Sequence, residues 1–139
     1  MMNTSEASKH NAHTFNNEMA WLSLKIDQRL DLFFENENAE HKEVVPPKIM
    51  DDPSNYANFI KTYCTDEVER IIIVMALANY FKPELFDRFL IKNKGLGKNF
   101  TEFGGKTSDK TENIFVPTLR TVAFISVSYT HLTLPTKRI

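Results

Sequence analysis

The amino-acid sequence predicts an all-α fold, a small bundle of four to five helices. Apolar residues recur at helical spacing within residues 18–34, 52–63 and 65–80. Prolines stand where a fourth and a fifth helix would begin, and proline is favoured in a first turn because its missing N–H would have no partner there. The 139 residues suffice for one domain, and the 42% hydrophobic content is that of an ordinary globular protein.

The first predicted helix covers residues 18–34. Its apolar positions are separated by four, four and three residues, which places them on one stripe of a helix: Leu22, Ile26, Leu30 and Phe33. The preceding residues 1–17 are polar and show no period, so we expect a disordered leader. Residues 35–48 are predicted to form a charged loop that ends in the stiff pair Pro46-Pro47.

The second predicted helix begins at Asp52 as N-cap, with Pro53 at the first helical position. Its buried face is expected to consist mainly of aromatic residues: Tyr56, Phe59, Ile60 and Tyr63. This face would pack against the first helix or its neighbours.

A third helix is predicted over residues 65–80. Residues 71–78 are apolar on every side, which is typical of a helix enclosed by its neighbours. The β-branched run at 71–75 is also compatible with a strand. We favour the helix because Asp66 and Glu67 place negative charge at its amino end, where the helix dipole favours it.

A fourth helix is predicted from Pro83 to a point before Gly95, and a fifth from Pro117 through Ile125. Residues 95–113 between them are rich in glycine and lysine and are expected to be irregular. Apolar residues of the separate helices should share one core: Leu22, Ile26, Leu30, Ile72, Met75, Phe86 and Phe89.

Composition and charge exclude several classes of function. The formal net charge is −1, so neither nucleic acid nor an anionic membrane is an expected partner. A helix-turn-helix DNA-binding protein needs base-reading and basic residues on its recognition helix, which the apolar third helix does not fit. The single cysteine, Cys64, allows no internal disulfide and fits a cytoplasmic location. The apolar run at 71–78 is much shorter than the roughly 20 residues that span a bilayer.

No catalytic, nucleotide-binding or metal site is predicted. Gly95, Gly97 and Lys98 suggest a phosphate loop, but these glycines are too close together for one, and Asn99 stands where a Ser or Thr would hold magnesium. A helix C-cap followed by a turn is the favoured interpretation. The four histidines lie apart in the sequence: His10, His13, His41 and His131. Such scattered residues do not suggest the converging ligands of a zinc site.

The sharpest motif is the run Thr101, Glu102, Phe103, Gly104 and Gly105. Two adjacent glycines allow positive φ or a close backbone approach. Two interpretations stay open. In the first the run is a structural turn, with Phe103 in the core and Glu102 bonded to backbone N–H groups or a lysine. In the second the five residues are an interaction surface for a partner, and they are the candidate site of the chain.

Several sequence blocks carry a resemblance through their order and spacing. They are residues 69–78, 82–87, 92–93, 100–105 and 115–125. In this order they resemble the N-terminal region of the AAA+ ATPases that accompany bacterial contractile injection systems, over roughly residues 18–125. Two positions differ from that family's pattern, since Ile114 stands where the family has Gly and Arg120 where it has Glu.

The resemblance implies that residues 18–125 are an N-terminal interaction or regulatory domain of such an ATPase, cut short before its nucleotide-binding core. Its partners would be the AAA+ core of the same polypeptide and injection-particle proteins. ATP and Mg would be cofactors of the whole protein, with none for this segment. A stand-alone helical adaptor that binds proteins without enzymatic activity stays open as the alternative.

The C-terminal residues suggest that the chain is interrupted. Residues 127–136 are the same string as the translation of a tagmentation sequencing adaptor. We therefore expect Ser126 to be the junction and residues 126–139 to be an artefact that is not part of the native fold. A native C-terminal strand is the alternative, because the run is rich in β-branched and aromatic residues.

Overall fold

The computed structural model describes residues 4–35, 43–95, 97–107 and 114–127. Four α-helices run through these ranges: α1 (Thr4–Phe33), α2 (Asn55–Tyr63), α3 (Glu67–Phe81) and α4 (Leu119–Ser126). Two 3-10 helices lie between α3 and α4: Pro83–Phe89 and Thr101–Phe103. The predicted all-α class, a small helical bundle, is confirmed. Although α1 is 30 residues long, none of the described helices combines the length and the apolar character needed to cross a membrane.

Two short antiparallel hairpins are present in the described residues, the first between the two 3-10 helices and the second between Thr101–Phe103 and α4. β1 (Lys92–Asn93) pairs with β2 (Lys98–Asn99), and β3 (Lys106–Thr107) pairs with β4 (Phe115–Val116). The predicted irregular conformation of residues 95–113 is therefore wrong at β2 and β3. Isolated two-residue pairs of this kind have no core of their own and depend on the helices for stability. Residues 96 and 108–113 lie outside the described residues.

The predicted disordered leader is wrong for residues 4–17, which form the first half of α1. Two polar side chains hold this half against the start of α2 and the residues just before it. Asn11 Oδ1 accepts the backbone N–H of Tyr56 at 2.9 Å, and the Thr14 hydroxyl donates to the Asp52 carboxylate. The residues that hold this segment in place lie about 40 positions away in the sequence. The local spacing of apolar residues therefore gives no sign of a helix here.

α2 begins two residues after its predicted first position. Ser54 is the N-cap, and its hydroxyl accepts the N–H of Ala57 at 3.1 Å. The predicted aromatic face is wrong at Phe59 and Tyr63, which are exposed and stack on each other at 4.9 Å. The helix instead buries Ala57 and Ile60. A small residue at the contact lets α2 approach α1 closely, and the aromatic rings on the other face then point to solvent.

α3 confirms the helical interpretation of the apolar run. Asp66 caps it by accepting the N–H of Glu69 at 2.9 Å. The helix is not enclosed on every side as predicted, since Val68 and Ile72 are 43% and 37% exposed. Its neighbours α1, α4 and Pro83–Phe89 contact the other side. The core assignment of Ile72 is therefore wrong. Ile71 is buried instead, one residue and about 100° of helix away.

The fourth predicted helix is a 3-10 helix that begins at Pro83 and ends at Phe89, before Gly95 as predicted. At its end the Leu90 N–H donates to the Asp87 carbonyl at 3.0 Å, the three-residue spacing of this helix type. The segment brings three apolar side chains into the core: Leu85, Phe86 and Phe89. It thereby covers the end of the bundle between α3 and β1.

One hydrophobic core joins these elements. Six of the seven residues predicted to share it do so: Leu22, Ile26, Leu30, Met75, Phe86 and Phe89. α4 adds Phe124 and Ile125, and it begins at Leu119, two residues after the predicted start. The Thr118 and Thr121 side chains form a reciprocal capping box there, which satisfies free N–H groups of the first turn.

Candidate functional site

The predicted interaction surface divides into an exposed and a packed part. Thr101 and Glu102 are exposed, whereas Phe103 is completely buried. Gly104 and Gly105 are half-buried and follow the short 3-10 helix Thr101–Phe103. The first interpretation, a structural turn with Phe103 in the core, therefore applies to Phe103 and the two glycines. An interaction role stays a prediction, and Thr101 and Glu102 are the side chains that a partner would reach.

Phe103 lies at the centre of an aromatic cluster. Its ring centroid is 5.0 to 5.4 Å from four other rings: Phe33, Phe89, Phe100 and Phe124. Most of these pairs are tilted or edge-to-face, the arrangement that aromatic quadrupoles favour. The cluster joins the end of α1, the segment Pro83–Phe89 and α4. Phe103 therefore holds three separate parts of the chain together.

The two glycines are needed for backbone conformation and for space. Gly104 and Gly105 have φ values of +65° and +73°, a region that side chains other than glycine rarely adopt. A Cβ atom on Gly105 would overlap the Phe115 ring, and one on Gly104 would overlap Arg120. The Gly105 N–H donates to Thr118 Oγ1 at 3.0 Å. The motif thus closes the loop tightly against the start of α4.

We expect Gly105→Ala to lower the free energy of unfolding by at least about 2 kcal/mol, because it adds left-handed backbone strain to overlap with a core ring. Urea denaturation followed by circular dichroism measures this change. Gly97→Ala is the matched control, since Gly97 also has positive φ but has nothing near its Cβ position. The control measures the cost of placing alanine at positive φ without any steric overlap. Equal losses of unfolding free energy in the two variants would contradict the overlap with Phe115.

The glycine-lysine segment forms the turn of the first hairpin. The Gly97 N–H donates to the Asn93 carbonyl at 2.8 Å, and the Gly95 N–H donates to Asn93 Oδ1 at 3.0 Å. The turn interpretation is confirmed, whereas the helix C-cap is wrong because β1 precedes the turn. Asn93 therefore accepts the backbone N–H groups of both glycines of this turn.

A buried charged cluster lies between α1, α2 and α3. Glu18 is completely buried and pairs with Arg70 of α3, whose Nε lies 3.0 and 3.1 Å from the two carboxylate oxygens. An Arg70 terminal nitrogen also donates to the Pro47 carbonyl at 2.8 Å. The guanidinium lies 5.4 Å from the Trp21 ring centroid. Arg70 therefore links α3 both to α1 and to the residues before α2.

Tyr56 of α2 completes the cluster. Its hydroxyl donates to Glu18 Oε2 at 3.4 Å. Burial of the phenol, together with the negative charge of Glu18, raises the pKa of Tyr56 well above its ordinary value. The three helices thus meet at one carboxylate. This arrangement fixes the register of α1 against both neighbours.

The raised pKa of Tyr56 predicts a specific loss of stability in alkali. The folded state keeps the phenol protonated, whereas the unfolded chain releases the proton above pH about 10. The contribution of Tyr56 to the free energy of unfolding is therefore fully present below pH about 10. Above that pH it falls by at most about 1.4 kcal/mol per pH unit. Urea denaturation between pH 8 and 11 should show a steeper fall for the wild type than for Tyr56→Phe. Parallel curves would contradict the prediction.

Arg29 is a second buried cation. Its Nε donates to the Phe124 carbonyl at 2.8 Å, and its guanidinium carbon lies 4.0 Å from the Phe124 ring centroid. Desolvation by burial lowers the pKa of Arg29. One terminal nitrogen, Nη1, is buried without a hydrogen-bond partner. The side chain therefore anchors α4 to α1 through its backbone bond and its stacking on Phe124.

Open grooves mark the surface of the bundle, among them one between α1 and α3 and one between α3 and α4. The α1–α3 groove has a volume of about 580 Å³ and is lined mainly by apolar side chains, among them Phe15, Met19, Tyr56, Leu77 and Phe81. The α3–α4 groove has a volume of about 340 Å³ and includes Ile72, Met75, Pro117, Leu119 and Val122. Grooves of this size and character suit apolar side chains of another molecule.

The histidines and the cysteine are not brought together. His10 and His13 lie on the outer face of α1, and Cys64 follows α2 with a pKa raised by burial. Over the described ranges no three His, Cys, Asp or Glu side chains converge as metal ligands. His41 and His131 lie outside these ranges.

Sequence reasoning missed the Glu18 cluster, although a signal for it exists. Glu18 stands four residues before Leu22 and eight before Ile26, so it occupies the same apolar stripe of α1. A carboxylate on such a stripe needs a buried partner. The partner, Arg70, is 52 residues away, and nothing in the local sequence identifies it.

The chain matches no protein-family model, no curated protein and no solved structure.

Proposed function

We propose that residues 18–125 are the N-terminal protein-interaction domain of a AAA+ ATPase that serves a bacterial contractile injection system. In this proposal the nucleotide-binding core lies beyond residue 125 in the intact protein, and residues 126–139 are not native. The protein acts in the cytoplasm. ATP and Mg belong to the missing core, and the domain itself takes no cofactor.

The supporting observation is that sequence blocks which carry the resemblance contribute side chains to the same hydrophobic core. Phe86 and Phe89 come from the block at 82–87 and the residues just after it. Phe103 comes from the block at 100–105, and Phe115 and Phe124 from the last block. All five are buried in the same core. The order and spacing of the blocks therefore suit one packing unit, which is what a domain shared by a family requires.

The remaining chemistry favours binding over catalysis. The charged residues of the interior, Glu18, Arg29 and Arg70, are engaged in holding helices together. Exposed groups next to packed elements are left for contact with partners, namely Thr101, Glu102 and the two grooves. The partners in this proposal are the AAA+ core of the same polypeptide and proteins of the injection particle.

We expect the chain as given neither to bind ATP tightly nor to hydrolyse it. Phosphoryl transfer needs positioned phosphates, a magnesium site and charge stabilisation, and Lys98 next to a hairpin turn supplies only one positive charge. Isothermal titration calorimetry with Mg-ATP measures the binding, with Lys98→Ala as the control. Micromolar binding that disappears in the Lys98→Ala variant would overturn this expectation and make the hairpin turn a nucleotide contact.

A stand-alone helical adaptor is the second candidate function. The observation in its favour is that large apolar side chains are exposed to solvent: Tyr80 and Leu119 are 81% and 74% exposed. The uninterrupted reading frame beyond Ile125 distinguishes the two proposals. A Walker A loop downstream supports the ATPase domain, whereas a stop codon soon after α4 supports the adaptor.

A further inference from the structure

The carboxyl end of α3 carries a protruding pair of aromatic side chains next to an apolar groove. Tyr80 and Phe81 are 81% and 64% exposed, and their rings meet edge-to-face at 5.0 Å. Phe81 also forms part of the wall of the α1–α3 groove. Exposed Tyr and Phe side chains that stay rigid are the residues that protein interfaces use as anchors.

The α1–α3 groove beside this pair has the shape and the chemistry to receive an aromatic ring. Phe15 lies between Tyr56 and Phe81, with ring centroids 5.6 and 5.8 Å apart. Met19 and Leu77 complete an apolar floor. The volume of about 580 Å³ exceeds that of one tyrosine side chain.

We propose that this chain forms a two-fold symmetric dimer in which Tyr80 of each copy enters the α1–α3 groove of the other. The proposal is independent of the function proposed above. A two-fold interface requires that one surface patch carry both the projecting side chain and the cavity that receives it. The carboxyl end of α3 meets this requirement, because Tyr80 projects directly beside the groove that Phe81 lines.

The charges at the rim of the groove favour a second copy over an unrelated partner. Lys82 and Glu84 both line the groove, both are exposed, and they carry opposite charges. Two-fold symmetry brings residue i of one copy to residue j of the other and j to i. Lys82 then faces Glu84 across the interface twice. The net charge of −1 creates little long-range repulsion between copies.

Sedimentation equilibrium from about 10 μM to 1 mM tests the dimer. We expect the wild type to associate reversibly, and Tyr80→Lys to weaken the association at least about tenfold, because it removes an anchor of the interface. Tyr63→Lys is the matched control, since Tyr63 is an exposed tyrosine of α2 that does not line the groove. A wild type that stays monomeric throughout, or equal association of Tyr80→Lys and wild type, would overturn the proposal. So would an equal loss in Tyr63→Lys.

Charge reversal at the rim provides a second test. Lys82→Glu alone and Glu84→Lys alone each place like charges opposite one another, so each variant should associate more weakly than the wild type. An equimolar mixture of these two variants should associate as a heterodimer more tightly than either alone, because opposite charges then meet at both contacts. A mixture no tighter than its components would exclude this pairing of Lys82 with Glu84 and overturn the proposed interface.

Discussion

Glu18→Ala is expected to lower the free energy of unfolding by about 3–5 kcal/mol. It leaves Arg70, whose side chain is only 12% exposed, without its carboxylate partner. Glu18 is completely buried and accepts from both Arg70 and Tyr56. Its removal therefore breaks the contact of α1 with two helices at once. Urea denaturation at neutral pH, followed by far-ultraviolet circular dichroism, measures the loss. A loss below about 1 kcal/mol would show that water reaches the cluster and solvates Arg70.

The double variant Glu18→Leu with Arg70→Met provides the control. It removes both charges and replaces them with apolar side chains of similar length, so the desolvation cost disappears together with the ion pair. We expect its stability to lie close to that of the wild type and far above that of Glu18→Ala. A double variant as unstable as Glu18→Ala would mean that hydrogen bonds lost in both variants, such as that from the Tyr56 hydroxyl to Glu18, and not the unpaired charge of Arg70, account for the loss.

The fold was predictable where local signals decide it. Leu22, Ile26 and Leu30 repeat at helical spacing and lie in the core, and an acidic amino end correctly favoured helix over strand for α3. α2 begins two residues after its predicted start, because Ser54 and not Asp52 accepts the N–H of a first-turn residue, Ala57. Such shifts are common when several cap residues stand side by side.

The parts that the sequence did not predict depend on contacts between distant residues. Asn11 and Thr14 make the polar leader helical by bonding to residues about 40 positions away. Ile72 was placed in the core because α3 is apolar all round, and only the positions of its neighbours decide that Ile71 is buried instead. A single sequence contains the residues but not their partners, so these features appear only in three dimensions.

The tight turn of the candidate site was predictable from the sequence, but which of its residues are buried and which are exposed was not. Adjacent glycines correctly indicated a tight backbone approach, which Gly105 makes against Phe115. The sequence left open whether Phe103 faces the core or a partner. Its burial depends on rings contributed by α1, Pro83–Phe89 and α4. The exposed pair Thr101 and Glu102 is the part of the motif to which the interaction hypothesis now applies.

Phe103→Ala is expected to lower the free energy of unfolding by about 3–5 kcal/mol, the range for truncating a fully buried phenylalanine. The cavity would open where four aromatic rings from separate segments meet. Some of these rings also hold one another in place, since the Phe33 ring centroid is 5.5 Å from those of Phe100 and Phe124. Collapse of the surrounding side chains into the space is therefore restricted, which places the cost toward the upper part of that range. Denaturation in urea measures it.

Glu102→Ala is the matched control for Phe103→Ala, since it changes the neighbouring residue of the same motif on the exposed side. We expect it to alter the free energy of unfolding by no more than about 0.5 kcal/mol, as surface substitutions do. The two variants thus separate the structural from the interaction role of the motif. If Phe103→Ala also costs less than about 1 kcal/mol, the phenylalanine is not part of a tightly packed core, and the whole motif becomes a candidate for partner contact. If Phe103→Ala strongly lowers stability, and Glu102→Ala weakens binding to a partner without lowering stability, then Phe103 has a structural role and Glu102 belongs to the interaction surface.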